Sequence, residues 1–350
     1  MSIDEIKYTT IEQQLEKLKS QNLIIKNETN AKNRLEAFGY SNLIKSYREP
    51  YMFTIDGQKK FRSGITFEQL CSLYLLDKNL RNAVMAAMLD LEEHIKEAAA
   101  DVIAQSFGVH QDEYLKYRHY QNKKKRKPQF SLPAILDKMK KAFNTDKDPI
   151  QHYRETHGIV PPWILFKSVY FSTIVNFIDL MKKDQQKMLV RKLYPFSDDA
   201  EITDSQIQLM VDTLFICLEY RNAAAHGGRI YNMKCQSKLR AFDDGSLTEE
   251  GFSQLLRLLS IMKNKSPYQH LHNVLENMLN KHCSFYPEDI TYLSRILNVN
   301  ITSHEFVWIT DRSQKYHRNK HCSGIQNAKS IDIEKVKEMG YLPCKRCCID

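Results

Sequence analysis

Leu218-Glu219-Tyr220-Arg221-Asn222-Ala223-Ala224-Ala225-His226-Gly227-Gly228-Arg229-Ile230-Tyr231-Asn232 closes the segment whose period decides the fold class. Upstream, Thr203 and Gln206 have capping-box spacing. Ile207, Met210, Val211, Leu214, Phe215 and Leu218 then recur at helical intervals, which predicts an amphipathic helix from Asp204 to about His226. Gly227-Gly228 marks its end, because glycine readily takes the left-handed conformation that terminates a helix. Glycine also leaves room for a phosphate backbone to approach, since no Cβ stands in the way.

The last turns of this helix carry Arg221, Asn222 and His226, residue types that suit cleavage of an RNA phosphodiester. An imidazole moves protons near neutral pH, on or off a 2'-OH or a leaving 5'-oxygen. A guanidinium holds phosphate oxygens with paired donors while charge builds on them. Asn222 can orient the histidine or donate to the phosphate. The substrate supplies its own nucleophile, so this chemistry asks for no metal or other cofactor. On an ideal helix, five residues at about 100° each put His226 roughly 140° round from Arg221. The two share one site only if Arg221 reaches around or the last turn unwinds. Read by spacing alone, which is a weak signal, the same residues are a polar helix end with a histidine favoured by the helix dipole.

Composition frames that reading. The chain has 350 residues, with 42% hydrophobic and 27% charged, and so is expected to be a soluble globular protein with one large core and small extra modules. Residues 115 to 155 hold 12 Lys/Arg against 4 Asp/Glu, or +8 of the total +9, a local excess that would draw an anionic polymer. Within it, Lys123-Lys124-Lys125-Arg126-Lys127 lacks apolar periodicity and reads as a mobile loop contacting RNA phosphates, with a solvated loop as the plainer alternative. Tyr231, just past the glycines, is placed with these residues as an RNA contact. Met1 is followed by Ser2, Asp4 and Glu5 rather than an apolar run, so no signal peptide is expected. Trp163 to Met181 is apolar but carries Ser168, Ser172, Asn176 and Asp179 along one face, which predicts a buried core helix and no membrane span. Eight cysteines at irregular spacing, three in the last seven residues, indicate reduced thiols plus a metal site in a cytoplasmic protein.

Elsewhere the pattern is helical. Thr10 and Gln13 open a first helix and Asn30 is read as the cap of a second that ends at Gly39; a helix-turn-helix reader is one use of such a pair. Lys45, Tyr47, Arg48 and Tyr51 mix cations and aromatics in a way that suits single-stranded RNA or a solvated surface. Gly57 and Gly64 mark turns, with a hairpin across Tyr51 to Phe61. Thr66 and Gln69 cap a long helix running to about Phe107, whose polar residues Glu93 and Lys96 read as surface pairs at helical spacing or as contributors to the site. Leu189 to Asp199 reads as a connection, and Ser246 with Glu249 as the cap of a helix carrying Phe252, Leu255, Leu256, Leu259 and Met262. Together these predict a mainly α protein: an N-terminal helical cap over 1–62, a helical bundle over 63–285, a helical linker over 286–303 and a small α+β module over 304–350.

The module contains a strand at Phe306 to Thr310, then His317, Cys322 and the knuckle Cys344-x2-Cys347. Two thiolates spaced in this way reach one ion, and His317 with Cys322 completes a closed tetrahedral Zn2+ site. His321 and Cys348 are neighbouring alternatives. So short a stretch builds little core, and a metal staple supplies what it lacks. It is similar to small zinc modules at the ends of bacterial nucleases and to the metal-binding domain of Ada-type DNA repair proteins.

Arg221-Asn222-x3-His226 after an apolar helix resembles the catalytic motif of the HEPN superfamily of RNases. More narrowly, Thr9 to Lys17-Leu18, Leu89-Asp90-Leu91-Glu92-Glu93-His94-Ile95-Lys96 and Pro161-Pro162-Trp163-Ile164-Leu165 resemble the Abi family of bacterial abortive-infection proteins, of the AbiD/AbiF type, over roughly residues 6 to 280. The resemblance implies a HEPN-like helical bundle and a metal-independent endoribonuclease used as a toxin or in anti-phage defence. Enzymes of that superfamily pair two motifs, as the RNA-targeting effectors of type VI CRISPR systems do within one polypeptide. One motif in this chain therefore implies a homodimer whose site combines two copies of Arg221 and His226. An alternative of a different class is a non-catalytic RNA-binding protein held by a structured noncoding RNA antitoxin. Some HEPN proteins are instead modified on a tyrosine two residues beyond the histidine; Gly228 occupies that position here, which weakens that reading.

Overall fold

A computed structural model describes residues 8–348 apart from 56, 241–249, 302–305, 312, 319–321, 323–324 and 326. Ser246, Glu249 and His321 lie outside the described residues. The protein is mainly helical, with a small sheet region near the C-terminus. It packs as two compact units, one formed by residues up to Lys78 together with those from Glu276 onward, the other by Asn79–Leu275.

In the first unit, α1 (Ile11–Ser20) opens with the expected reciprocal capping box between Thr10 and Gln13. α2 (Glu28–Phe38) is capped by Asn27, not Asn30: Asn27 is extended, and its side-chain oxygen accepts the Asn30 amide at 2.8 Å. Asn30 is thus the third helical residue, receiving the cap rather than making it. A π-helical turn (Ser41–Lys45) and a 3-10 turn (Glu49–Tyr51) lead into an antiparallel hairpin, β1 (Met52–Ile55) with β2 (Gln58–Phe61), as the glycine pattern predicts. Gly57 and Gly64 both have positive φ. Thr66 caps α3 (Phe67–Phe107), accepting the Gln69 amide at 3.1 Å.

The second unit holds most of α3 and the helices α4 (Gln111–Tyr114), α5 (Leu132–Phe143), α6 (Ile150–His157), α7 (Pro162–Leu165), α8 (Phe171–Leu180), α9 (Lys183–Leu193), α10 (Asp204–Ala225) and α11 (Phe252–Ser260). Its centre is α10, packed against α8, α9 and α11. The single helix expected over Trp163 to Met181 is broken: α7, a 3-10 turn at Phe166–Ser168, extended Val169 and Tyr170, then α8. Residues 166–173 are mostly aromatic, β-branched or serine, weak helix formers that yield to packing. The break lets Leu165, Phe166 and Val169 bury while Lys167, Ser168 and Tyr170 face solvent. Leu189 to Leu193 is likewise the end of α9 rather than a connection, because Gln186, Leu189, Val190 and Leu193 recur at helical spacing and all bury. Among the described residues, no helix is long and apolar enough to cross a membrane.

Back in the first unit, α12 (Ser266–Cys283), which begins in the second, is followed by α13 (Ile290–Leu297). The C-terminal sheet has strand order β5-β3-β4-β6: β3 (Phe306–Thr310) pairs antiparallel with β4 (Ser313–His317) and β5 (Lys329–Asp332), and β4 pairs parallel with β6 (Leu342–Pro343). α14 (Ile333–Glu338) covers it, burying Ile333 and Val336 against Val307, Ile309 and Tyr316.

Candidate active site and metal centre

α10 begins with the Thr203–Gln206 capping box and ends at His226, the C-cap residue. The termination is a Schellman motif: the Gly228 amide donates to the Ala223 carbonyl at 2.8 Å and the Gly227 amide to Ala224 at 3.4 Å. Gly227 has φ +72°, the left-handed conformation the motif requires. A Cβ on Gly228 would stand 3.0 Å from the Ala223 carbonyl oxygen, so the second glycine is demanded by close approach. Directly beyond, Ile230 and Tyr231 are buried, 0% and 1% exposed, and anchor the turn from its far side.

One contact fixes this end of the helix, and others hold the chain that follows it. Arg81, on α3, donates through Nη1 to the Gly227 carbonyl at 2.7 Å. Glu219 accepts the Gln236 and Ser237 amides at 2.8 Å each, and buried Asp212 accepts from the Arg240 amide at 2.8 Å and from its guanidinium. The strand of chain after the turn therefore runs back along α10, held by two of its carboxylates. Sequence reading missed Arg81, Glu219 and Asp212. Their partners are separated by 17 to 146 positions, so no local pattern marks them.

On this scaffold His226 is exposed, and Arg221 and Asn222 are half-buried. The Arg221 Nε is buried without a hydrogen-bond partner. Among the described residues no hydrogen bond or ion pair joins Arg221 to His226. One chain thus presents one imidazole and one guanidinium on the last turns of the same helix.

The basic run is not a free loop. Lys123 donates to the Asp179 carbonyl at 2.8 Å and to its carboxylate at 3.2 Å, and Lys125 also pairs with that carboxylate. Lys125 lies 5.8 Å from the Phe215 ring centroid. The Gln121 amide donates to the Leu180 carbonyl at 2.7 Å and holds the start of the segment. An extended chain alternates its side chains, so Lys123 and Lys125 turn inward while Lys124 and Arg126 are exposed, followed by exposed Lys127. Asp179, expected on a polar stripe, is thereby the counter-ion of the run. Burial would raise its carboxyl pKa, but Lys125 and Lys123 outweigh that and hold it below the ordinary range. Tyr231 is in the core and presents no surface to RNA. On α3, Lys96 pairs with Glu92 at 2.7 Å, while Glu93 is exposed; both border a cleft of about 740 Å³ walled by Leu89 and Trp163.

In the C-terminal sheet region, His317 ends β4, Cys322 follows it, and Cys344 and Cys347 form a turn after β6. Their donor atoms all lie within 4.8 Å of one another. The Cys322 and Cys344 sulfurs are 3.9 Å apart, and the Cys347 sulfur is 3.6 Å from His317 Nδ1. Metal–sulfur bonds of about 2.3 Å in a tetrahedron put sulfurs roughly 3.8 Å apart, so the four donors fit one ion. The Cys344 amide donates to the Tyr316 carbonyl at 2.9 Å and sets the knuckle against β4. The Cys348 thiol contacts the Tyr316 carbonyl at 3.5 Å, outside the four-donor group.

Fold and side chains together define a mainly helical protein with a fixed Arg/Asn/His helix end and a C-terminal Cys/His cluster able to hold a metal ion. Residues 33–232, more than half the chain, match the Abi-like protein family, and the chain belongs to that family. No curated protein and no solved structure matches it.

Proposed function

We propose that this protein is a metal-independent endoribonuclease of the HEPN type that acts in the cytoplasm in abortive infection, a bacterial defence against phage, as a toxin or defence effector. Family membership supports the defence role. The observation that carries the enzymatic reading is the rigid helix end: exposed His226, with Arg221 and Asn222 within the preceding turns, on a turn fixed by two glycines and Arg81. His226 moves the proton of the 2'-OH or of the leaving 5'-oxygen. Arg221, whose Nε lacks a partner, holds the phosphate oxygens, and Asn222 orients one or the other. Because the chain carries one such motif where enzymes of the resembling superfamily pair two, the working site combines two copies in a two-fold homodimer. Exposed Lys124, Arg126 and Lys127 supply phosphate contacts. The C-terminal donors hold Zn2+ as a closed structural centre, which ties His317, Cys322, Cys344 and Cys347 together and supplies folding energy to the sheet region.

The test is cleavage of labelled RNA by purified protein in EDTA, comparing wild type with His226→Ala and Arg221→Ala. Products should carry a 2',3'-cyclic phosphate and a 5'-OH, and DNA should be inert. Each variant should lose about 10²–10⁴ in rate yet still dimerise and bind RNA. Binding without cleavage by the wild type would instead support the reading of a non-catalytic protein held by a structured noncoding RNA. An active monomer in sedimentation would overturn the composite site.

A further inference from the structure

The cation-and-aromatic segment Lys45 to Tyr51 has no part in the proposed catalysis, and its structure is not that of a solvated surface. Tyr47 and Tyr51 are buried, 2% and 4% exposed, and each spends its hydroxyl on a buried carboxylate: Tyr47 donates to Asp77 at 2.6 Å and Tyr51 to Asp289 at 2.7 Å. Asp289 also engages Gln69 Nε2 at 3.1 Å and His282 Nε2 at 2.9 Å, and His282 reaches Ser72 at 2.9 Å through its other nitrogen. The aromatic rings are therefore anchors within the first unit. Between them they fix the short turn that carries Arg48 and Glu49.

What this anchoring leaves outside is a pocket of about 290 Å³ between the π-helical turn, the 3-10 turn and the hairpin, lined by Lys45, Arg48, Glu49, Phe53, Thr54 and Lys59. Cross-strand pairing puts Lys59 opposite Thr54, and both line the pocket. Lys45 and Lys59 are exposed, and Arg48 and Phe53 are half-buried. Among the described residues, no carboxylate is ion-paired with Lys45, Arg48 or Lys59. Among the described residues that line the pocket, three cations stand against Glu49, an excess of two positive charges. Gathering like charges around a concave surface costs free energy in the empty protein, and an anion recovers it. Phe53 offers a flat apolar wall beside those cations, and Thr54 a hydroxyl. The volume is close to the lower end of small-molecule sites, which run from roughly 300 to 1,000 Å³.

We propose that this pocket is a nucleotide-phosphate site: it takes one phosphorylated nucleotide, with Lys45, Arg48 and Lys59 on the phosphate and Phe53 against the base or sugar. The nucleotide is free or part of a single RNA strand; the recognition chemistry is the same. The inference concerns the first unit, while Arg221 and His226 belong to the second. It gives the RNA reading a second point of attachment, and it stands without cleavage.

The test uses the full chain carrying His226→Ala, so that RNA survives, with and without Lys45→Gln/Lys59→Gln. Both lysines are exposed, so the double variant should keep the parent's helical circular dichroism and melting temperature. Binding of a fluorescein-labelled single-stranded hexaribonucleotide is followed by anisotropy at several salt concentrations, with unlabelled uridine 5'-monophosphate as competitor and uridine as control. The double variant should bind the strand at least ~10-fold more weakly. Its log–log salt slope should flatten by about 1.4, two phosphate contacts at about 0.7 each on a single strand. Competition by the monophosphate but not by uridine identifies a free nucleotide as sufficient; competition by neither, with the double variant still weakened, identifies the strand as the ligand. Wild-type affinity and slope in the double variant overturn the proposal, whatever the cleavage assay gives. Protein with His226 intact that binds the strand at this pocket but leaves it uncut would leave the proposal standing and remove only the ribonuclease reading.

Discussion

Replacing Gly227 by alanine tests whether the helix end is as rigid as the active-site reading requires. Gly227 sits at φ +72°. An added Cβ would meet only Arg81 Nη1, at 3.6 Å, an ordinary contact, so crowding contributes nothing and the whole cost is backbone strain. An L-residue in the left-handed region costs roughly 1–2 kcal/mol, and restricting the unfolded chain returns about 0.4–1 kcal/mol, leaving a net loss near ~1 kcal/mol. For a domain of about 150–250 residues that is a fall of about 2–4 °C in Tm. The effect on cleavage should be larger. The strain is relieved by opening the turn, which breaks the Gly228–Ala223 and Arg81–Gly227 bonds and displaces His226, and a displacement of about 1 Å can cost about 10²-fold in rate. Gly227→Asn is the control, because asparagine tolerates the left-handed region and should restore most of both properties. The assays are calorimetric melting and the EDTA-resistant RNA cleavage rate. Alanine and asparagine variants that behave alike would refute the strain argument. An alanine variant with wild-type Tm and rate would show that the turn does not position His226.

Other consequences are checked more simply. Gly228→Ala should be worse than Gly227→Ala in the same melting experiment, since its Cβ meets the Ala223 carbonyl at 3.0 Å and backbone cannot yield as a side chain does. Cys344→Ser or Cys347→Ser should release about one zinc per chain by metal analysis and melt the C-terminal sheet region while circular dichroism keeps the α-helical signal; wild-type protein purified without chelators and free of zinc would contradict this. In RNA-binding titrations, neutralising Lys124, Arg126 and Lys127 should weaken binding and flatten its salt dependence, whereas Lys125→Ala should act mainly on stability, because that ammonium is committed to Asp179. The Asp179 carboxyl titrates below its ordinary value, so its stabilisation is complete above the unfolded value of about 4 and is lost as pH falls through the lowered one. Asp179→Asn should remove that acid-side loss, seen as a shallower fall of Tm as pH drops below about 4.

Local chemistry is what the sequence carried. The capping boxes at Thr10 and Thr203, the end of α10 at His226, the start of α3 after Thr66 and the hairpin around Gly57 each depend on residues within a few positions, and each is in place. The Cys/His cluster able to hold a metal was also legible, because a Cys-x2-Cys knuckle brings two thiols together locally and short modules offer few residues to complete the set. Where one local signal competed with another, reading failed. Asn27 and Asn30 are both plausible caps, and only the backbone shows which is extended.

Tertiary structure alone decided the rest. The interruption at Val169-Tyr170 follows from burying Phe166 and Phe171 while leaving Tyr170 in solvent, a choice a weak helix propensity cannot make. The basic run reads as uniform charge, yet Asp179, more than fifty positions away, divides it into inward and outward lysines. Tyr231, Tyr47 and Tyr51 look like RNA-facing aromatics and are core anchors. Arg81 reaches the Gly227 carbonyl across 146 positions. The capping boxes, the end of α10 and the chemical character of that helix end and of the Cys/His cluster are local properties, since backbone hydrogen bonding and ligand type act over a few residues. Which charges are free, which aromatics are buried and what holds His226 in place are settled only when distant segments compete for the same interior, because burial and ion pairing depend on the whole packed chain.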